Sequence, residues 1–106
     1  MATIDAIKLL VASGDVRISV HGYDELAKDD LNVREIIAGV GDAILVEDYP
    51  NFPKGSSVLL LQADCKQNPV HVVWGIPKGM DRPAVLITAY RPKPELWSTN
   101  YQERIR

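Results

Sequence analysis

The sequence predicts an α+β fold: an N-terminal helix, a strand, two helices, then a four-stranded antiparallel meander and a polar C-terminal segment. Three observations carry this expectation. Through most of residues 3–41, apolar side chains recur every three or four positions, the spacing of helices with one buried face. From Ala43 onward the pattern changes to short strand-like runs separated by loops rich in Pro, Asn and Gly. Between the first two helical stretches, Val16, Ile18 and Val20 alternate with Arg17 and Ser19, the two-residue period of a half-buried strand. With 106 residues, 46% of them hydrophobic, one apolar core suffices without disulfides. Residues 1–106 therefore read as a single domain: 1–14 an N-terminal helix region, 15–92 the core and 93–106 a tail.

Ile4, Ile7, Leu10 and Val11 line one face of a helix over residues 3–12, which Ser13-Gly14 ends. The strand Val16–Val20 is too short to stand alone and needs a partner distant in sequence. From His21 to Lys28 the spacing becomes helical again at Tyr23, Leu26 and Ala27, with Asp24 and Glu25 near the positive helix N-terminus. Asn32 and Glu35 have capping-box spacing, so a third helix with Val33, Ile36, Ile37 and Val40 on one face runs to Gly41. Gly39 and Gly41 follow a helix, not a strand, and no Lys-Ser/Thr comes after them; they read as a helix stop, not a phosphate loop.

The meander strands are Ala43–Tyr49, Val58–Ala63, Val70–Ile76 and Ala84–Tyr90. Ala84–Ala89 is almost wholly apolar, which places it inside the sheet. In Val70–Ile76 the alternation puts His71 on the face opposite Trp74. Pro92-Lys93-Pro94 ends the last strand, because its two prolines cannot serve a central ladder. Trp97 and Tyr101, four apart in the tail, have the spacing of one helical face packed onto the domain or of a stacking surface for bases.

Composition excludes several classes. Cys65 is the only cysteine, which rules out an internal disulfide framework and a four-cysteine zinc site and favours a reducing compartment, the cytoplasm by default. No apolar run reaches the ~20 residues of a bilayer span, and Met1–Ser13 lacks the pattern of a signal peptide. Net charge is only −2, yet residues 1–50 hold four basic and ten acidic side chains while residues 51–106 hold eight basic and four acidic. This dipole reads either as a basic surface for an anionic partner such as RNA or as an acidic helical half beside a basic sheet and tail, with no partner behind the split.

Candidate chemistry centres on four residues. His21 opens a helix, where the positive helix end favours an anion, so it either faces a phosphate or closes the helix start through a local hydrogen bond. His71 either lines a functional sheet face or is a half-buried cross-strand neighbour. Tyr90 and Arg91 end the apolar strand before a rigid turn. Together they offer a stacking phenol and a guanidinium for phosphate, or an interfacial Tyr beside an Arg paired to an acidic-half carboxylate. No His-x-His or His-x-x-x-His pair occurs, so no metal site is expected; Cys65 has no adjacent base and reads as a plain thiol. Gly-x-Ser-x-Gly is absent, which removes the usual support for serine-nucleophile chemistry.

Arg17-Ile18-Ser19-Val20-His21-Gly22-Tyr23-Asp24-Glu25-Leu26, Val46-Glu47-Asp48-Tyr49-Pro50, Val70-His71-Val72-Val73-Trp74-Gly75 and Val85-Leu86-Ile87-Thr88-Ala89-Tyr90-Arg91-Pro92 together resemble a small bacterial family, domain of unknown function 4258. The resemblance extends over about residues 15–98 and implies kinship with BrnT and the RelE/ParE toxins. It thereby implies a toxin-like protein of a type II toxin–antitoxin system, with a small zinc-finger or helix-turn-helix antitoxin as partner, and metal-independent cleavage of messenger RNA on the ribosome without a cofactor. In such a reaction His21 or His71 would act as base or acid, Arg91 would clamp the phosphate and Tyr90 would orient or stack. Further basic candidates are Arg17, Lys78, Arg82, Lys93, Arg104 and Arg106.

The alternative is a non-catalytic domain of the same fold, whose helices, acidic at Asp24, Glu25, Asp29, Asp30 and Glu35, meet a basic antitoxin or regulator. A pocket for a small-molecule reaction is a third expectation. An exposed edge at Val16–Val20 or Ala43–Tyr49 offers a route to a homodimer. Convergence of His21, His71, Tyr90 and Arg91 in one concavity would favour the ribonuclease; Arg91 tied to a helix carboxylate would favour the binding domain.

Overall fold

A computed structural model describes residues 2–105. In chain order the elements are helix α1 (Thr3–Ala12), strand β1 (Val16–Ile18), helices α2 (Val20–Lys28) and α3 (Val33–Gly39), a 3₁₀ turn (Val40–Asp42), and strands β2 (Ile44–Tyr49), β3 (Ser57–Ala63), β4 (Pro69–Gly75) and β5 (Ala84–Tyr90). The meander exists, but the sheet has five strands in the order β1-β5-β4-β3-β2. This corrects the four-stranded expectation: β1 adds to the free edge of β5 in parallel, with Val16, Arg17 and Ile18 opposite Ala84, Val85 and Leu86. All other pairings are antiparallel. β5 is an interior strand, as its apolar sequence requires.

β1 is shorter than its alternation implies, and Ser19 is the reason. The Ser19 amide donates to the Leu86 carbonyl (3.0 Å) and its hydroxyl donates to the Ile87 carbonyl (3.0 Å), while Oγ accepts from the Gly22 amide (2.8 Å) as the N-cap of α2. Val20 thus becomes the first residue of α2 and is 81% exposed, although the strand pattern had placed it facing inward. Gly22 follows because α2 crosses β5 closely: a Cβ there would meet the Leu86 carbonyl oxygen at 2.9 Å. His21 does not close the helix start; Ser19 does.

At α3, the Asn32 carboxamide oxygen accepts from the amides of Arg34 (2.8 Å) and Glu35 (3.4 Å). The capping box is half formed, since the Glu35 carboxylate accepts from the Cys65 amide (2.9 Å) in the β3–β4 loop. The helix tightens into a 3₁₀ turn after Gly39. The main core lies between the helices and one face of the sheet: Ile7, Leu26, Ile36, Val58, Leu60, Val72, Trp74 and Leu86 are all buried in it. Gln62 is the polar member of that face. Its carboxamide donates to the Ile36 carbonyl (2.7 Å) and accepts from the Trp74 indole (3.1 Å), so neither buried polar group is left unpaired.

The tail is not a helix. Residues 93–105 form turns closed by a bridge between Trp97 and Arg104 and fold across the other face of the sheet. Arg106 lies outside the described residues, as does Met1. Among the described residues no helix is long and apolar enough to cross a membrane.

Ser19→Ala should lower unfolding stability by about 1–2 kcal/mol through loss of the cap and of the bond to the Ile87 carbonyl. Gly22→Ala should cost about 1–3 kcal/mol, because backbone must shift to admit the methyl group. Urea titration checks both: the midpoint falls while the slope stays at the wild-type value.

Candidate functional site

Two bulges decide which side chains share the open face of the sheet, the one away from the helices. Along β5, Leu86 pairs with Trp74 but Thr88 pairs with Val73, so Ile87 is skipped. Strict alternation would put Tyr90 on the same face as Leu86; the extra residue turns Tyr90 to the opposite face, directly across from His71. Along β2, Val46 is skipped in the same way, which sets Glu47 opposite Leu59 and Tyr49 opposite Ser57. The open face thus gathers Glu47 and Tyr49 from β2, Leu59 and Leu61 from β3, His71 and Val73 from β4, and Tyr90 from β5.

His71 is fully buried in this face. Its Nε2 lies 2.8 Å from the Tyr101 carbonyl, which can only accept, so Nε2 carries the proton. Nδ1 is then the acceptor for the Tyr90 hydroxyl at 3.2 Å. Trp97 meets the imidazole edge-to-face with ring centroids 4.3 Å apart, and the Arg104 guanidinium stacks 4.8 Å from the Trp97 ring centre. That guanidinium forms a fork on Glu47 at 2.8 and 3.0 Å, and Glu47 also accepts from the Tyr49 hydroxyl. Burial pushes the His71 pKa down, although the Tyr101 carbonyl and Glu47 favour the charged ring. Arg104 holds the Glu47 carboxyl below its ordinary value, and burial raises the Tyr90 phenol. A neutral histidine with both nitrogens engaged ties the tail to the sheet; it has no free lone pair for a substrate proton.

Arg91 sits elsewhere. Its amide donates to the Asp29 carboxylate (2.8 Å), Nε donates to the Asp29 carbonyl (3.2 Å) and Nη1 donates to the Asp64 carboxylate (3.0 Å). Asp64 is held at about 2 by the Asn68 amide, with Arg91 and the Lys66 amide adding to it. Asp29 caps the C-terminus of α2, whereas His21 lies in the first turn of that helix with its side chain 64% exposed and 3.8 Å from Glu25. Eight residues at ~1.5 Å rise separate them by about 12 Å along the helix axis. His71 and Tyr90 are therefore brought together, while His21 and Arg91 stand at opposite ends of α2 and apart from that pair.

The family's sequence profile, described as a domain of unknown function (DUF4258), matches residues 18–91. The chain belongs to this family. Neither the curated proteins nor the solved structures give a match to the chain. The DUF4258 span contains all four candidate residues and ends before the tail that seals His71.

Beside Arg91, an open groove of about 660 Å³ is lined by Glu35, Asp42, Gln62, Asp64, Cys65 and Tyr101 among others. The Glu35 carboxylate raises the Cys65 thiol pKa, in keeping with an unreactive thiol. Among the described residues no group of His, Cys, Asp and Glu is arranged to hold a metal ion. Sequence reasoning missed Glu47 and Arg104 as partners. Only the opposite charges of the two chain halves hinted at them.

His71 has a folded pKa below its ordinary value of 6.5, so its contribution to stability is complete above pH 6.5 and is withdrawn as pH falls below it. Glu47, also lowered, begins to withdraw its contribution only below its ordinary 4.5. Melting temperature should therefore drop between pH 6.5 and 4.5 in the wild type and less steeply in His71→Gln. Equal slopes in thermal melts across that window would refute a neutral, buried His71.

Proposed function

We propose that this chain is a non-catalytic protein-binding domain whose partner is a basic polypeptide, such as an antitoxin or a DNA-binding regulator. The observation that carries the reading is Arg91, whose amide, Nε and Nη1 are all occupied by Asp29 and Asp64. Metal-independent RNA cleavage needs a cation free to meet the phosphate, next to a base. Arg82 and Arg104 are likewise engaged, by Asp15 and Glu47. Asp24, Asp30 and Asp42 are exposed and have no ion pair among the described residues, so the helical side offers negative charge to a partner. Such a surface speeds and orients association with a cationic protein.

The second reading is an endoribonuclease of the RelE/BrnT kind, supported by the contact between His71 and Tyr90 and by the kinship with BrnT and RelE that the resemblance to domain of unknown function 4258 implies. In it the tail must leave before His71 can meet RNA.

Two measurements separate the readings. With a Lys- and Arg-rich helical peptide as probe, association should slow by about tenfold on raising salt from low to physiological levels, and Asp24→Asn with Asp30→Asn should slow it further. Induced expression in a bacterial host should leave growth and message intact for both the wild type and His21→Ala plus Arg91→Ala. Growth arrest with message cleavage, abolished by the double substitution at an unchanged thermal melt, would overturn the binding reading in favour of the ribonuclease.

A further inference from the structure

We propose that the open face of the sheet is a recognition surface for a partner segment that presents an aromatic ring stacked on an arginine, and that residues 93–105 occupy it as a displaceable strap. The strap satisfies its own backbone. The Ser98 amide donates to the Glu103 carbonyl (2.7 Å), the Ile105 amide to the Leu96 carbonyl (3.0 Å) and the Tyr101 amide to the Ser98 carbonyl (2.8 Å). The Asn100 side chain closes the same loop, accepting from the Ser98 hydroxyl and the Gln102 amide. Among the described residues its polar hold on the sheet comes down to the Tyr101 carbonyl on His71 and the Arg104 fork on Glu47. Trp97, only 5% exposed, fills the space between them. Such a loop leaves as a unit, because lifting it breaks no strand pairing.

Three features make departure easy. Pro92-Lys93-Pro94 joins the strap to β5 and cannot extend the ladder. Tyr101 holds a left-handed backbone at φ 59°, a conformation disfavoured for a side chain of its size and relieved on release. His71, Tyr90, Glu47 and Tyr49 are polar groups that water can serve once uncovered.

The chemistry left behind specifies the occupant. Removing Arg104 leaves a half-buried Glu47 carboxylate without its cation, and removing Trp97 uncovers the edge of His71 beside Leu59 and Leu61. An incoming segment must replace both at once, with its guanidinium against its aromatic ring, as Arg104 and Trp97 stand in the strap. The acidic helices lie across the sheet from this face, so this surface and the one proposed above succeed or fail separately.

The test uses the full chain and a fluorescent peptide copying residues 93–105, followed by anisotropy. In the wild type the internal strap competes at an effective concentration on the order of millimolar, so uptake is weak. Arg104→Ala loosens the internal strap and should tighten peptide binding by about fivefold, the scale of a partly exposed ion pair. Adding Glu47→Gln to that variant should remove the gain, and a peptide with Ala in place of Trp97 should not bind. The proposal is overturned if the Arg104→Ala chain melts cooperatively yet takes up no more peptide than the wild type. It is also overturned if a scrambled peptide binds equally, or if that chain only exchanges straps between copies and excludes the peptide.

Discussion

One residue, Ser19, joins three elements at a single point. Its amide and hydroxyl supply the Leu86 and Ile87 carbonyls at the β5 bulge, and the same oxygen caps α2. Without these bonds the bulge would leave two carbonyls unpaired beside the core, a cost comparable to losing the hydrogen bonds themselves. The bulge in turn decides that Leu86 and Ala89 join the core while Tyr90 reaches His71 on the open face. Gly22 completes the joint by letting α2 approach the Leu86 carbonyl without a clash. The short motif Ser19-Val20-His21-Gly22 is therefore accounted for by architecture at Ser19 and Gly22, and His21 is left on the surface.

Charge has a similar long-range logic. The acidic first half and the basic second half meet in two ion pairs, Asp15 with Arg82 and Glu47 with Arg104, and in the Arg91 amide donating to the Asp29 carboxylate, each joining positions more than fifty residues apart. Exposed pairs of this kind stabilise little individually, about 0–1 kcal/mol. Their larger effect is on what the surface can offer: with Asp64 on Arg91, they occupy the guanidinium groups of Arg82, Arg91 and Arg104 and leave Asp24, Asp30 and Asp42 outward. The charge dipole along the chain is thus paired off at Arg82 and Arg104, while Lys54, Lys66, Lys78 and Lys93 form no ion pair among the described residues.

The sheet separates two environments. On the helix side, Gln62 is the one polar side chain threaded into an apolar layer, bonded at both ends. On the other side, His71, Tyr90, Glu47 and Arg104 form a polar network sealed by Trp97. Of the four residues that the sequence marks for chemistry, His71 and Tyr90 meet, because they are a cross-strand pair. Arg91 follows Tyr90 immediately, but the chain turns there and its guanidinium goes to Asp29 and Asp64. Adjacency in sequence says nothing about where a long side chain finds its counter-charge.

The amino-acid sequence alone determined the helix at residues 3–12, the Asn32 cap, the limits of β5 and the opposition of His71 to Trp74, because each follows from local periodicity or from a cap a few residues away. Only the tertiary structure decided that β1 adds to β5 as a fifth strand, that Ser19 ends β1 and starts α2, and that the tail is a looped strap and not a helix. It likewise decided the pairing of Glu47 with Arg104 and the placing of Tyr90 on the open face. These outcomes depend on bulges, on contacts between distant segments and on the need to satisfy buried carbonyls and a buried imidazole. No periodicity within a single stretch of chain encodes them.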